Sequence, residues 1–185
     1  MALRALVTGA NGFVGSHLVD HLRERGDKPL AMVRQTSDLT NLEGSDVEFR
    51  YAGLSDVEAM TLAMRDVDIV FHVAGLTAAF KEETLTRVNS EGTANVFEAA
   101  RRAEPGPRRV VCISSLEAAG PSTDARARSE EQVAAPFTRY GRSKLGGERA
   151  AWEARRDREV VIVRPPLVYG PRDQDVLQMI QGANM

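Results

Sequence analysis

A single cysteine, Cys112, leaves the chain without an intrachain disulfide, so its fold must be held by a packed core. Cys112 lies in the apolar run Val110-Val111-Cys112-Ile113, where a buried, unreactive thiol is the expected state. No apolar stretch approaches the roughly 18 residues of a membrane span. No leader with a basic end and an apolar centre precedes the first strand pattern, and cytoplasm is the simplest location. An excess of charge is missing too. The 24 Lys and Arg against 26 Asp and Glu leave a formal net charge of -2, without the basic footprint that nucleic-acid binding needs. The arginines between Arg101 and Arg109 are interrupted by Glu104, Pro105 and Pro107, and read as a solvated helix end. His17 and His21 stand four apart on a helix with no further ligand nearby, so no metal site is expected. What is present is ordinary for a globular domain: 185 residues, 43% hydrophobic and 27% charged, enough for one substantial core.

Short runs of β-branched and apolar residues alternate with segments of helical period. Strands are expected over 3–8, 30–33, 47–51, 69–73, 109–114 and 160–163. Helices are expected over 13–25, 56–64, 90–102 and 138–156, with Gly26 ending the first and Ser55 capping the second. In the first helix Phe13, Val14, Leu18, Val19 and Leu22 fall on one stripe. Strands that alternate with helices imply a doubly wound α/β fold, a parallel sheet with right-handed crossovers covered on both faces. The polar stretch 120–136 reads as a surface loop.

The first strand turns into the first helix through Thr8-Gly9-Ala10-Asn11-Gly12-Phe13-Val14-Gly15. Gly9 permits the tight turn, Gly12 lets a pyrophosphate approach the backbone, and Gly15 lets helix and strand pack closely. The helix then presents free N–H groups and the positive end of its dipole to phosphate oxygens. The spacing is G-x-x-G-x-x-G, and no Gly-Lys-Ser/Thr follows, which disfavours a P-loop. Arg34 stands after the second strand, with no acid until Asp38. An arginine there accommodates a 2′-phosphate, whereas an acid would bind a free 2′-hydroxyl; Arg34 therefore favours NADP over NAD.

Tyr140-Gly141-Arg142-Ser143-Lys144 opens the last long helix, and residues four apart share a face. A cation beside a tyrosine favours the phenolate and draws its pKa down from about 10. Such a tyrosine can pass a proton to or from an alcohol or carbonyl. Ser114 and Ser115 end the fifth strand at the carboxyl edge, where doubly wound sheets bind ligands. Arg164-Pro165-Pro166 follows the sixth strand at the same edge.

Taken with His72-Val73-Ala74-Gly75 and Val88-Asn89-Ser90-Glu91-Gly92-Thr93, these motifs resemble the extended short-chain dehydrogenase/reductases, the NAD-dependent epimerase/dehydratase family, from residue 3 to about 173. The resemblance implies a Rossmann-type NAD(P)-binding domain over 1–173, with 174–185 beginning a substrate-binding portion. It implies catalytic roles for Tyr140 as acid/base, Lys144 as its partner and ribose ligand, Ser115 on the reacting oxygen with Ser114 as fallback, and Asn89 in support of the site. Cofactor contacts fall on Gly9, Asn11, Gly12, Phe13, Val14, Gly15, Arg34, Leu54, Ala74, Gly75, Ser114, Tyr140, Lys144 and Pro165. The implied activity is that of an NAD(P)-dependent oxidoreductase, epimerase or dehydratase moving a hydride between nicotinamide and a secondary alcohol or ketone of a small-molecule substrate, a nucleotide-sugar among the candidates. The implied assembly is a homodimer through 90–102 and 138–156.

Two positions depart from the family. Leu54 stands where an Asp usually meets the adenine amino group, which hands adenine recognition to backbone or apolar contact. Leu116-Glu117-Ala118-Ala119-Gly120 replaces the Val-Tyr-Gly frequent in nucleotide-sugar enzymes. The apolar pattern Val176, Leu177, Met179, Ile180 starts and then stops at Met185, so the chain reads as the cofactor half of a longer protein, expected to bind cofactor but turn substrate over poorly. The alternatives are a non-catalytic NAD(P) sensor and, more remotely, a methyltransferase, which needs no Tyr-Lys pair.

Overall fold

The computed structural model describes residues 2–122 and 126–183, without the side chains of residues 179, 180, 182 and 183. Its six strands, β1 (Arg4–Thr8), β2 (Lys28–Val33), β3 (Glu48–Tyr51), β4 (Ile69–His72), β5 (Arg109–Ile113) and β6 (Glu159–Val163), form one sheet in the order β3-β2-β1-β4-β5-β6. Every pairing is parallel. The chain runs outward from β1 to β3, crosses back to β4 beside β1, and continues to the other edge. The β1–β4 seam is therefore the switch point where such sheets open a crevice at their carboxyl ends. Register brings Thr8 level with His72 there.

Alternation along β1 explains the two-faced core. Ala5 and Val7 point to one side with Val19, Leu22 and Leu42, beneath α1 (Phe13–Glu24). Leu6 points to the other, with Leu30, Met60, Val70, Val96 and Val110, beneath α2 (Val57–Ala63) and the helices that follow β4. Full burial of a side chain such as Leu6 stabilises the fold by about 1.5–3 kcal/mol. Both faces are covered, as a parallel sheet requires. Among the described residues no helix is long and apolar enough to cross a membrane.

Several boundaries differ from the sequence reading. β2 begins at Lys28 because Arg4 of β1 pairs with it. The cap of α2 is Asp56, whose carboxylate accepts the Ala59 N–H at 2.9 Å, and not Ser55. The helix after β4 starts well before residue 90. A turn α3 (Glu82–Leu85) runs through a wide π segment, Thr86–Glu91, into α4 (Gly92–Arg102). A single wide turn of this kind often marks a functional position, and Asn89 sits inside it. A short α5 (Leu116–Ala119) and α6 (Arg139–Ala154), capped by Thr138, complete the site side. In the loop before α6, Arg128 bridges the carbonyls of Pro121 and Val133; residues 123–125 of that expected loop lie outside the described residues. The tail forms α7 (Gln174–Ala183), while the side chains of Met179 and Ile180 from the expected apolar pattern lie outside the description.

Candidate functional site

The glycine loop is built from close approaches. Gly9 adopts φ +65, and a Cβ there would stand 2.8 Å from Ala74 Cα, so only glycine lets β1 turn against the end of β4. Gly15 is closed in the same way: its Cβ would meet the Gly9 carbonyl and lie 2.9 Å from Ala10 Cα. Gly12 is different. It is exposed, its backbone is extended, and a Cβ would find nothing nearer than Gly9 O at 3.4 Å. Its bareness therefore serves a ligand better than it serves packing. No side chain caps α1, which leaves its first-turn N–H groups for an anion. The residues present fit a dinucleotide pyrophosphate. Phe13 is half-buried and Val14 exposed at this helix start.

The chain after β6 returns over that loop. His17 Nε2 donates to the Pro171 carbonyl at 2.9 Å, and Arg172 pairs with Asp20 at 2.7 Å. Both His17 and His21, the latter 3.9 Å from Glu24, are thus surface groups with local partners. Asn11 donates to the Asp38 carbonyl at 3.0 Å and accepts from Asn41, which ties the loop to the segment after β2. In that segment Arg34 is exposed and makes no ion pair with a described residue. The Asp38 carboxylate is taken up by the Thr40 hydroxyl at 2.6 Å and the Thr40 N–H at 2.9 Å, which hold its pKa below the usual carboxylate value. Leu54 lies over Gly92, and its carbonyl accepts from Asn95 at 2.9 Å.

At the carboxyl ends of β4 and β5 the remaining candidates converge. Ser115 caps α5, accepting the Glu117 N–H at 3.2 Å, and its side chain lies close enough to Tyr140 to lower the pKa of the phenol. Ser114, in contrast, is buried and donates to Glu148. The two serines face opposite ways from adjacent positions. Lys144 is 7% exposed, and its Nζ donates to the Ile113 carbonyl at 2.7 Å. Burial lowers its pKa, against the opposing pull of Cys112 and Glu148. Gly75 is exposed beside it: a Cβ there would lie 3.7 Å from Lys144 Nζ and 3.0 Å from Asn89 Oδ1. Cys112 is buried, and burial pushes its thiol up to about 11, as its apolar run implied.

One expectation is corrected. Lys144 was to draw the Tyr140 pKa down, yet the Tyr140 pKa stands above its ordinary value. Burial raises it most, Ser115 lowers it, and Glu117 raises it again. The shared helix face is present, but the Lys144 ammonium is turned to the Ile113 carbonyl and is not among the groups that shift Tyr140.

Asn89 makes three amide hydrogen bonds and none of them reaches Tyr140. It receives the Leu76 N–H at 2.8 Å, donates to the Leu76 carbonyl at 2.8 Å, and donates to Ser143 Oγ at 2.9 Å. It thereby fixes the loop after β4 against α6. A second chain of bonds is not legible in the sequence. Ala74 N–H donates to Thr8 Oγ1 at 3.1 Å, and Thr93 Oγ1 donates to the Asn89 carbonyl at 2.6 Å. His72 lies between them, 2.9 Å from Thr8 Oγ1 and 3.0 Å from Thr93 Oγ1. With the Thr93 proton committed to Asn89, His72 Nε2 must carry the ring proton and Nδ1 must accept from Thr8. Burial, reinforced by the Lys144 charge, holds His72 neutral with a pKa of about 3.

Sequence reasoning also missed Glu148, and it gave Arg164 of the Arg164-Pro165-Pro166 segment no partner. Arg164 Nε and Nη2 donate to the two Glu148 oxygens at 2.8 and 2.6 Å. The signal existed, since Glu148 continues the Tyr140–Lys144 stripe by one more turn. Pro165 is half-buried after Arg164, and its carbonyl accepts the Leu116 N–H at 3.0 Å. The arrangement thus places an anion cradle, a bare glycine beside a buried lysine, and a serine–tyrosine pair along one sheet edge.

Comparison with known proteins agrees with this arrangement. Residues 5–183 match the NAD dependent epimerase/dehydratase family. The chain is 34% identical over 175 residues to a ceramide reductase of Caulobacter vibrioides, covering 95% of this chain and 49% of that protein. It is 37% identical over 177 residues to sterol demethylase protein B of Methylococcus capsulatus, covering 92% and 53%. The structure of a dTDP-glucose 4,6-dehydratase from Streptomyces venezuelae with NAD bound superposes with a TM-score of 0.85 at 25% identity, covering 97% of this chain and 63% of that one. The chain spans about half the length of the curated relatives it matches. Its sheet order, glycine loop and matched length together mean that the chain belongs to the NAD-dependent epimerase/dehydratase family of extended short-chain dehydrogenase/reductases.

Proposed function

We propose that this chain supplies the cofactor-binding and acid/base part of an NAD(P)-linked enzyme acting on a secondary alcohol or ketone of a small-molecule substrate. The observation that carries the reading is that Ser115, Tyr140, Lys144 and Gly75 gather at the same sheet edge as the uncapped start of α1. A nicotinamide dinucleotide, when bound, accepts or donates the hydride. Gly9, Gly12 and Gly15 with the N–H groups of Phe13 and Val14 would hold its pyrophosphate, and Ala74 and Gly75 would line it after β4. Lys144 would meet its ribose, and Pro165 its nicotinamide ring.

The chain's own residues then manage the substrate oxygen. With its pKa raised, Tyr140 stands as a phenol at neutral pH, able to give its proton to a carbonyl oxygen as that oxygen gains charge. Ser115 hydrogen-bonds the same region and orients the oxygen toward Tyr140. In the reverse direction Tyr140 must first lose its proton, a step that Ser115 eases and the Glu117 charge opposes. Relatives include a reductase and a dehydratase, and both outcomes use this proton step. Arg34, exposed and without an ion-pair partner among the described residues, supports NADP over NAD. Homodimerisation through α4 and α6 is part of the same proposal, supported by family resemblance.

Tyr140→Phe tests the acid/base role. Substrate-dependent NADPH oxidation should fall by about 10²–10⁴-fold, the usual contribution of a positioned acid or base, while cofactor affinity holds. Turnover by the Phe variant equal to the parent's would instead favour a cofactor-binding module without chemistry.

A further inference from the structure

Glu148 is 1% exposed, and a buried carboxylate is costly unless it is fully paired. Its partners all anchor parts of the candidate site. Arg164 grips both oxygens in a two-point fork, and Ser114 donates to one of them. Ser114 is the residue before Ser115, and its N–H donates to the Val163 carbonyl at 2.7 Å. Arg164 is the residue before Pro165, whose carbonyl receives the N–H of Leu116. One helical turn earlier, Lys144 binds the Ile113 carbonyl. Helix α6 therefore holds the end of β5 at two points and the end of β6 at one.

We infer that Glu148 is a positioning residue: clasped by Arg164 and Ser114, it sets where Ser115 and Pro165 stand relative to Tyr140. The inference rests on the function proposed above for Ser115 and Tyr140. The competing account is that the ion pair only supports the fold, since buried pairs can often be replaced by apolar residues without loss of stability.

Glu148→Gln separates the two accounts, because glutamine keeps the shape but removes the counter-charge of Arg164. Three measurements on the whole chain decide: the melting temperature, the Kd for NADPH by fluorescence, and the ionisation of Tyr140. The last is read by NMR of ¹³Cζ-tyrosine. The chain has 3 tyrosines, so Tyr51 and Tyr169 act as internal controls and Tyr140→Phe assigns the third signal. Ser115 holds part of the Tyr140 shift down, so a displaced Ser115 should move the Tyr140 midpoint measurably upward while the Tyr51 and Tyr169 signals serve as controls. NADPH should bind at least ~10-fold more weakly as Pro165 shifts, the loss of about 1.4 kcal/mol of contact. An unchanged midpoint and Kd overturn the inference, whatever happens to the melting temperature. Should Glu148→Gln fail to fold, Arg164→Lys and Ser114→Ala each loosen one arm of the clasp and carry the same three measurements. A parent chain that binds neither NADPH nor NADH would defeat the proposed function, and the tyrosine titration would still decide for or against Glu148.

Discussion

Substituting alanine at Gly12 and at Gly15 should separate cofactor binding from folding. At Gly12 the backbone has φ -78 and ψ 176, which any residue adopts, and the nearest atom to a new Cβ is 3.4 Å away. Alanine is a poorer N-cap than glycine, at a cost of about 0.5–1 kcal/mol. Restricting the unfolded chain offsets this by about 0.4–1 kcal/mol. These nearly cancel, so the melting temperature should move by no more than about 3 °C for a chain of this size. The methyl group, however, projects into the space where the proposed pyrophosphate would lie, and NADPH affinity should fall at least ~10-fold, equivalent to about 1.4 kcal/mol. Gly15→Ala is the mirror case. Its Cβ would overlap the Gly9 carbonyl and crowd Ala10, an overpacking cost of about 1–3 kcal/mol. That variant should lose stability first, with weakened binding as a consequence. Thermal unfolding and NADPH fluorescence titration on both variants test the pair. A Gly12→Ala chain that binds NADPH as tightly as the parent would refute the assignment of Gly12 to the pyrophosphate.

Two further outcomes follow from the electrostatics. Arg34→Ser should weaken NADPH by about tenfold or more and leave NADH within about twofold, because the charge-assisted bond from arginine to a 2′-phosphate forms only with NADP; equal effects on both cofactors would argue against that site. His72 is neutral in the fold with a pKa of about 3, below the ordinary imidazole value of 6.5. Between those values the unfolded chain binds the additional proton, so this residue makes stability fall as pH drops from about 6.5 toward 3. His72→Gln should flatten that part of the curve of melting temperature against pH, and an unchanged slope would show that His72 already titrates normally.

Much of the architecture was legible because it is written between near neighbours in the chain. The alternation of Ala5, Leu6 and Val7 encodes a strand buried on both faces, and the stripe of Val19 and Leu22 encodes the helix that covers one of them. Gly9 and Gly15 could be read as obligatory because a strand that turns straight into a packed helix leaves no room for Cβ. Tyr140 and Lys144 could be placed on one face by helical period alone. The early start of the helix before α4 was not legible, because Glu82, Glu83 and Thr84 carry no apolar stripe, and α3 rests on Leu85 by tertiary burial.

What periodicity could not supply was partnership across the fold. Ser114 and Ser115 are chemically identical neighbours; only the position of Glu148, 34 residues from Ser114, turns one inward while the other lies close to Tyr140. The expected depression of the Tyr140 pKa likewise depended on where the Lys144 ammonium ends, and the Ile113 carbonyl takes it. The proton on His72 is set by Thr8 and Thr93, 64 and 21 residues away in sequence. By itself the sequence determined the parallel α/β sheet, the glycine turn into α1 and the helical face of the Tyr-Lys pair, since each follows from local steric and periodic rules. Tertiary structure alone decided which polar group faces which, because buried charges and hydroxyls take whatever partner packing brings within about 3 Å, and sequence spacing does not encode that distance.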